Sequence, residues 1–219
     1  MKEDDKTGNA KHFRFCIYKV QSETMSHTMY ITKAIVCGSR ASMTSDKSYL
    51  LLTSELGMVW ATARSVRMEK SKQRCALQDF SLVRISLVRG KATWRIGSVE
   101  ALSNPFLASL TREARGGVSF VIRAIRRYVH GEEPVLSIFA DTEEVLSVLC
   151  ELSDVKQIGV YQQVFMIRLL TQLGYVVRTS ELAPVLTPES FITAYNAYDN
   201  SLEGVITKCI EHGSTVSHL

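Results

Sequence analysis

The chain has 219 residues, 46 % of them hydrophobic and 22 % charged, with a formal net charge of +4. That apolar content suits a packed core and excludes general disorder, and no apolar run approaches the ~18 residues a membrane-spanning helix needs. The length allows one large domain or two small ones, and the polar, mixed-charge start without an apolar signal region leads us to expect a cytoplasmic protein.

The charge is unevenly spread. Residues 30–104 carry 12 Lys and Arg against 5 Asp and Glu, a net +7; residues 105–219 carry 9 against 13, a net −4. A basic part joined to an acidic part suggests two domains with different partners, of which only the first suits a polyanion. The expected division is an extension over 1–29, a basic domain over 30–104 and a second domain over 105–219.

In the extension, Phe13–Val20 alternates and reads as a short strand. From Tyr30 the pattern is that of strands. Tyr30–Cys37 is rich in β-branched residues and ends at Gly38. Ser48–Ser54 and Met58–Val66 form a hairpin about Glu55-Leu56-Gly57, where Gly57 can supply a positive φ. Phe80–Arg89 alternates, Gly90 turns, and Lys91–Val99 returns. Five strands of this size suit a small Greek-key barrel such as the OB-fold, and also an SH3-like barrel. Asn104-Pro105 then breaks the pattern, and the apolar period changes from 2 to 3.6. Helices are expected over Val118–His130, within Pro134–Leu152 with Asp141 and Glu144 as a capping-box-like pair, and over Tyr161–Leu173 stopping at Gly174. Two more are expected from Thr187-Pro188 and over Ser201–His212. The fold class is therefore α+β, a five-stranded barrel followed by a helical bundle.

The motifs of phosphate-loop and dinucleotide folds, of zinc proteases and of serine hydrolases are all missing. The five cysteines, Cys16, Cys37, Cys75, Cys150 and Cys209, include no C-x-x-C pair, which argues against a disulfide framework and a cysteine zinc site. The five histidines lie scattered, so neither a metal nor a cofactor is expected and no catalytic set can be assembled.

What remains is a basic segment between two strands, holding Arg64, Arg67, Lys70, Lys72 and Arg74 against one acid, Glu69. It reads as a phosphate-binding loop, or as a solvated loop; the net charge around it favours the first. Trp60 and Trp94 lie on nearby strands, placed either to stack on bases or to fill the core. Arg123, Arg126 and Arg127 lie off the apolar face of their helix, and Arg168 sits inside an apolar helix. They form either a solvated face or the margin of a groove for an acidic peptide.

Together, Thr44–Thr53, Glu55–Gly57, Ala61–Lys72, Ala76–Phe80 and Phe165–Tyr175 make the chain resemble the RecO family of bacterial recombination mediators. The resemblance covers residues 30–104 well and 105–210 more loosely. It implies an N-terminal OB-fold and a C-terminal helical domain. It implies a non-enzymatic protein that binds single- and double-stranded DNA, anneals complementary strands, and works with RecR to load a recombinase onto DNA coated with single-strand-binding protein. The family's cationic loop maps onto Arg64, Arg67, Lys70, Lys72 and Arg74. Binding of the single-strand-binding protein's acidic tail maps onto the helical region, with Arg123, Arg126, Arg127 and Arg168 as candidates. Many family members carry a four-cysteine zinc site that this chain lacks the residues to build, so a metal-free variant is expected. The family's Gly-Ala-Leu-x-Pro-Phe reads Cys75-Ala76-Leu77-Gln78-Asp79-Phe80 here. Two other classes stay open: a protein-interaction adaptor without DNA binding, and an RNA-binding barrel.

Overall fold

The computed structural model describes residues 28–42, 45–68, 70–90 and 93–216. The strand expected over Phe13–Val20, Cys16 and Glu69 lie outside the described residues. Five strands, β1 (Met29–Ala41), β2 (Lys47–Thr53), β3 (Gly57–Ala63), β4 (Leu82–Arg89) and β5 (Trp94–Ser103), close into a barrel in the order β1-β2-β3-β5-β4. All neighbours are antiparallel except β3 and β5, which pair in parallel at Ala61 with Trp94 and Thr62 with Arg95. β1 is long because it serves two partners, β4 along its first half and β2 along its second. A register shift between Val36 and Gly38 bends it, as a bulge does in small barrels.

The period-2 pattern divides these strands between two cores. Ala34, Val36, Tyr49, Leu51, Val59 and Ala61 point into the barrel with Val83, Ile85 and Leu87. Ile35, Cys37, Leu52 and Met58 point outward and join the core of the helical part. Burial pushes the Cys37 thiol up to about 12, so it stays a neutral core side chain.

Several strand limits differ from the sequence reading: β1 does not end at Gly38 but continues to Ala41, and β5 continues past Val99 to Ser103. β4 starts at Leu82 because Phe80 takes a left-handed conformation, φ 71°, and stacks on Phe106 with ring centroids 4.6 Å apart. β3 stops at Ala63 because Ser65 is also left-handed, φ 52°. Between them lies a short helix, α1 (Gln73–Ala76), within the basic segment.

The change from strand to helix falls at Asn104, whose side chain accepts from the Leu107 N–H and caps α2 (Pro105–Ala108). Helices α3 (Arg112–Tyr128), α4 (Leu136–Leu149) and α5 (Val155–Gln172) follow, then the short α6 (Ala183–Leu186) and α7 (Phe191–Asn196), and α8 (Glu203–Val216). α5 is the central helix, packed against α3, α4 and α8. Gly174, φ 82°, closes it, with the Tyr175 N–H donating back to the Leu170 carbonyl.

Three helical expectations are corrected. Asp141 does not cap a helix: α4 begins five residues earlier, at Leu136, and Asp141 is a buried residue of its middle. Pro188 does not open a helix; it lies between α6 and α7. The last helix runs through Gly213, where it lies so close to α5 and the turn after it that a Cβ would come within 2.9 Å of Val176 and 3.3 Å of Leu170.

The two parts are fastened together beyond their shared apolar face. The Met58 N–H donates to the Gly131 carbonyl and the Val135 N–H to the Ser54 carbonyl, both at 2.9 Å. Lys33 pairs with Glu143 at 2.6 Å, and Arg89 pairs with Glu132. The hairpin between β2 and β3 is thus plugged into the connection between α3 and α4.

Candidate nucleic-acid interface

The basic segment is a built insertion rather than a loose loop. Val66 and Leu77, one near each end, are buried in the barrel core. Asp46 accepts from the Ser65 N–H at 2.8 Å, the Arg67 N–H donates to the Ser45 carbonyl, and the Gln73 side chain donates to the Gly97 carbonyl of β5. Anchored by Val66 and Leu77, the insertion turns Arg64, Arg67, Lys70, Lys72 and Arg74 to solvent, and none of the five has a carboxylate partner among the described residues. Five unpaired cations on one anchored element form a persistent positive surface.

Two cations that sequence reasoning missed extend it. Lys47 starts β2 beside the insertion, 5.2 Å from the Tyr49 ring centre. Arg40, near the end of β1, lays its guanidinium over the Trp60 ring at 4.1 Å. Their signal in the sequence was only that both lie inside the net +7 region.

The two tryptophans part company. Trp60 lies on the outer face of β3 and is 37 % exposed, so one aromatic surface reaches solvent next to Arg40. Trp94 is buried, edge-on to Tyr30, with Arg89 over its ring at 4.7 Å. It fills the core rather than presenting a ring to a base. Burial first, and the Asp79 carboxylate second, push the Tyr49 phenol up to about 12, so it stays neutral at physiological pH.

The four arginines proposed for a peptide do not form one group. Arg123, Arg126 and Arg127 are exposed on α3, and Arg126 rests against Gly38 of β1 while Arg127 lies 5.3 Å from the Tyr128 ring centre. Arg168 is corrected to a core residue. It is 5 % exposed, makes a two-pronged pair with Asp141 at 2.8 and 2.9 Å, and donates to the Val185 and Pro188 carbonyls. Its charge is used to tie α4, α5 and the α6–α7 turn together.

Among the described residues, no group of three His, Cys, Asp or Glu side chains is arranged to hold a metal ion, and no helix is long and apolar enough to cross a membrane.

No family model matches the chain. Two curated proteins do, both named DNA repair protein RecO, from two strains of Dehalococcoides mccartyi. Identity is 29 % and 30 %, over 152 residues that make up 69 % of this chain and 59 % of each relative. The chain thus spans about three-fifths of the length of the curated relatives it matches. With a strand-then-helix order that agrees with the motifs of the sequence, these similarities support membership of the RecO family.

Proposed function

We propose that this chain is a DNA repair and recombination protein that binds single- and double-stranded DNA through the insertion and the adjoining barrel face, without covalent chemistry. The observation that carries the proposal is the set of five exposed cations, without an ion pair among the described residues, on an insertion anchored in the barrel core. Each phosphate they neutralise releases condensed counterions, which is the main source of sequence-independent affinity. The strand order β1-β2-β3-β5-β4 supports reading the barrel as an OB-fold, a common scaffold for oligonucleotides.

Annealing follows from the same charge. Two complementary strands repel each other, and a surface that neutralises phosphates on both lowers that barrier. We place the chain in the cytoplasm, working with RecR to load a recombinase onto DNA coated with single-strand-binding protein. The acidic tail of that protein meets the exposed arginines Arg123, Arg126 and Arg127 on α3, with Arg168 excluded by its burial.

Binding of a fluorescent single strand at low salt, followed by annealing with its complement, tests the proposal. The expected result is saturable binding and annealing faster than that of the free strands. An absence of binding would leave a protein-interaction adaptor, and binding confined to RNA strands would leave an RNA-binding barrel.

A further inference from the structure

At one end of the barrel the insertion does not close flush against the strands, and a cleft of about 680 Å³ remains between them. Its floor is apolar, made by Tyr49, Val66 and Leu77 of the barrel core. Its rim carries Lys47, Arg67 and Arg74, none of them ion-paired among the described residues. One carboxylate, Asp79, also lines it; its Oδ1 accepts from the Ser39 hydroxyl at 2.9 Å, and its Oδ2 accepts no hydrogen bond among the described residues.

An apolar floor inside a cationic rim matches one unit of a polynucleotide, with the flat base below and the phosphate at the edge. A base stacked in a duplex cannot enter such a cleft, so the ligand is an unstacked nucleotide of a single strand. The carboxylate adds a choice among bases. An ionised carboxylate only accepts, so it favours an exocyclic N–H₂ and is repelled by a carbonyl edge. Uracil and thymine flank their one ring N–H with two carbonyls.

Building on the DNA-binding proposal above, we infer that this cleft seats a single unstacked nucleotide and that Asp79 accepts a hydrogen bond from its exocyclic amine. The cleft thereby favours amino-bearing bases over uracil and thymine.

The test compares deoxycytidine and deoxyuridine homopolymers of equal length, which stack weakly and differ at the position Asp79 would read. The intact chain is expected to bind the cytidine strand about tenfold more tightly, the scale of one good base contact. Asp79→Ala is expected to bring that ratio to about one. Arg74→Ala should weaken both strands alike and keep the ratio; it also checks the reading if Asp79→Ala disturbs folding, which its thermal melt would reveal. Equal binding of both strands by the intact chain would overturn the inference and leave the DNA-binding proposal standing. A preference that survives Asp79→Ala in a folded protein would overturn the assignment to this cleft. Failure to bind either strand would overturn the DNA-binding proposal, and this inference with it.

Discussion

Replacing Arg168 with alanine is expected to lower the unfolding free energy by about 3–5 kcal/mol, the cost of leaving a buried charge without its partner. For a chain of this size that is a fall of about 10 °C in melting temperature. Asp141 is 3 % exposed and receives three hydrogen bonds, two from Arg168 and one from the Gln172 side chain at 2.7 Å. Without Arg168 the carboxylate is left in the core, and the carbonyls of Val185 and Pro188 lose their donor. Arg168→Lys should fail to rescue most of the loss, because an ammonium cannot make the two-pronged contact and reach both carbonyls. The paired change Asp141→Leu with Arg168→Met removes both charges and should cost less than Arg168→Ala, though still about 1–3 kcal/mol for the stranded polar groups. Chemical denaturation of the variants checks this order; Arg168→Ala at wild-type stability would contradict it.

Gly57→Ala is expected to have an effect of similar size for a different reason. Gly57 has φ 65°, and a Cβ there would meet the Glu133 carbonyl and come within 2.7 Å of the Gly131 carbonyl. Those are backbone atoms of the connection that receives the hairpin, so they cannot swing aside as the end of a side chain can. Gly131 offers the control: its φ is 89°, but a Cβ would meet nothing within 4 Å. Gly131→Ala therefore carries backbone strain alone, about 1–3 kcal/mol, while Gly57→Ala adds the clash and is expected to cost more, about 3–5 kcal/mol. Denaturation curves for the two variants compare the terms directly. Equal losses would mean that the hairpin does not sit against the 131–133 segment as described.

The parts of this molecule that were legible in the sequence are those governed by local periodicity. Alternation placed all five strands to within a few residues, because one face of each must enter a core. Their outward residues Ile35, Leu52 and Met58 looked equally apolar, and sequence pattern cannot say that they belong to a second core shared with helices. The error at Asp141 has the same origin. The Asp-x-x-Glu spacing of Asp141 and Glu144 imitates a helix start, whereas the residue's role comes from Arg168, 27 positions away. The single arginine inside the apolar run of α5 was the available clue, since a charge in that setting needs a buried partner. For the site, the five cations could be read directly from composition. Arg40, Lys47 and the cleft could not, because they depend on how the insertion folds back on the barrel end.

The central claim, that DNA phosphates are held by the insertion, is tested most directly by the salt dependence of single-strand binding. The intact chain is compared with a variant in which Arg64, Arg67, Lys70, Lys72 and Arg74 are all alanine. On single strands each phosphate contact contributes about −0.7 to the slope of log affinity against log salt, so losing five contacts should make the slope shallower by about 3.5. That shallower slope is expected together with weaker binding at every salt concentration. Parallel lines of equal affinity would contradict it and move the DNA site off the insertion.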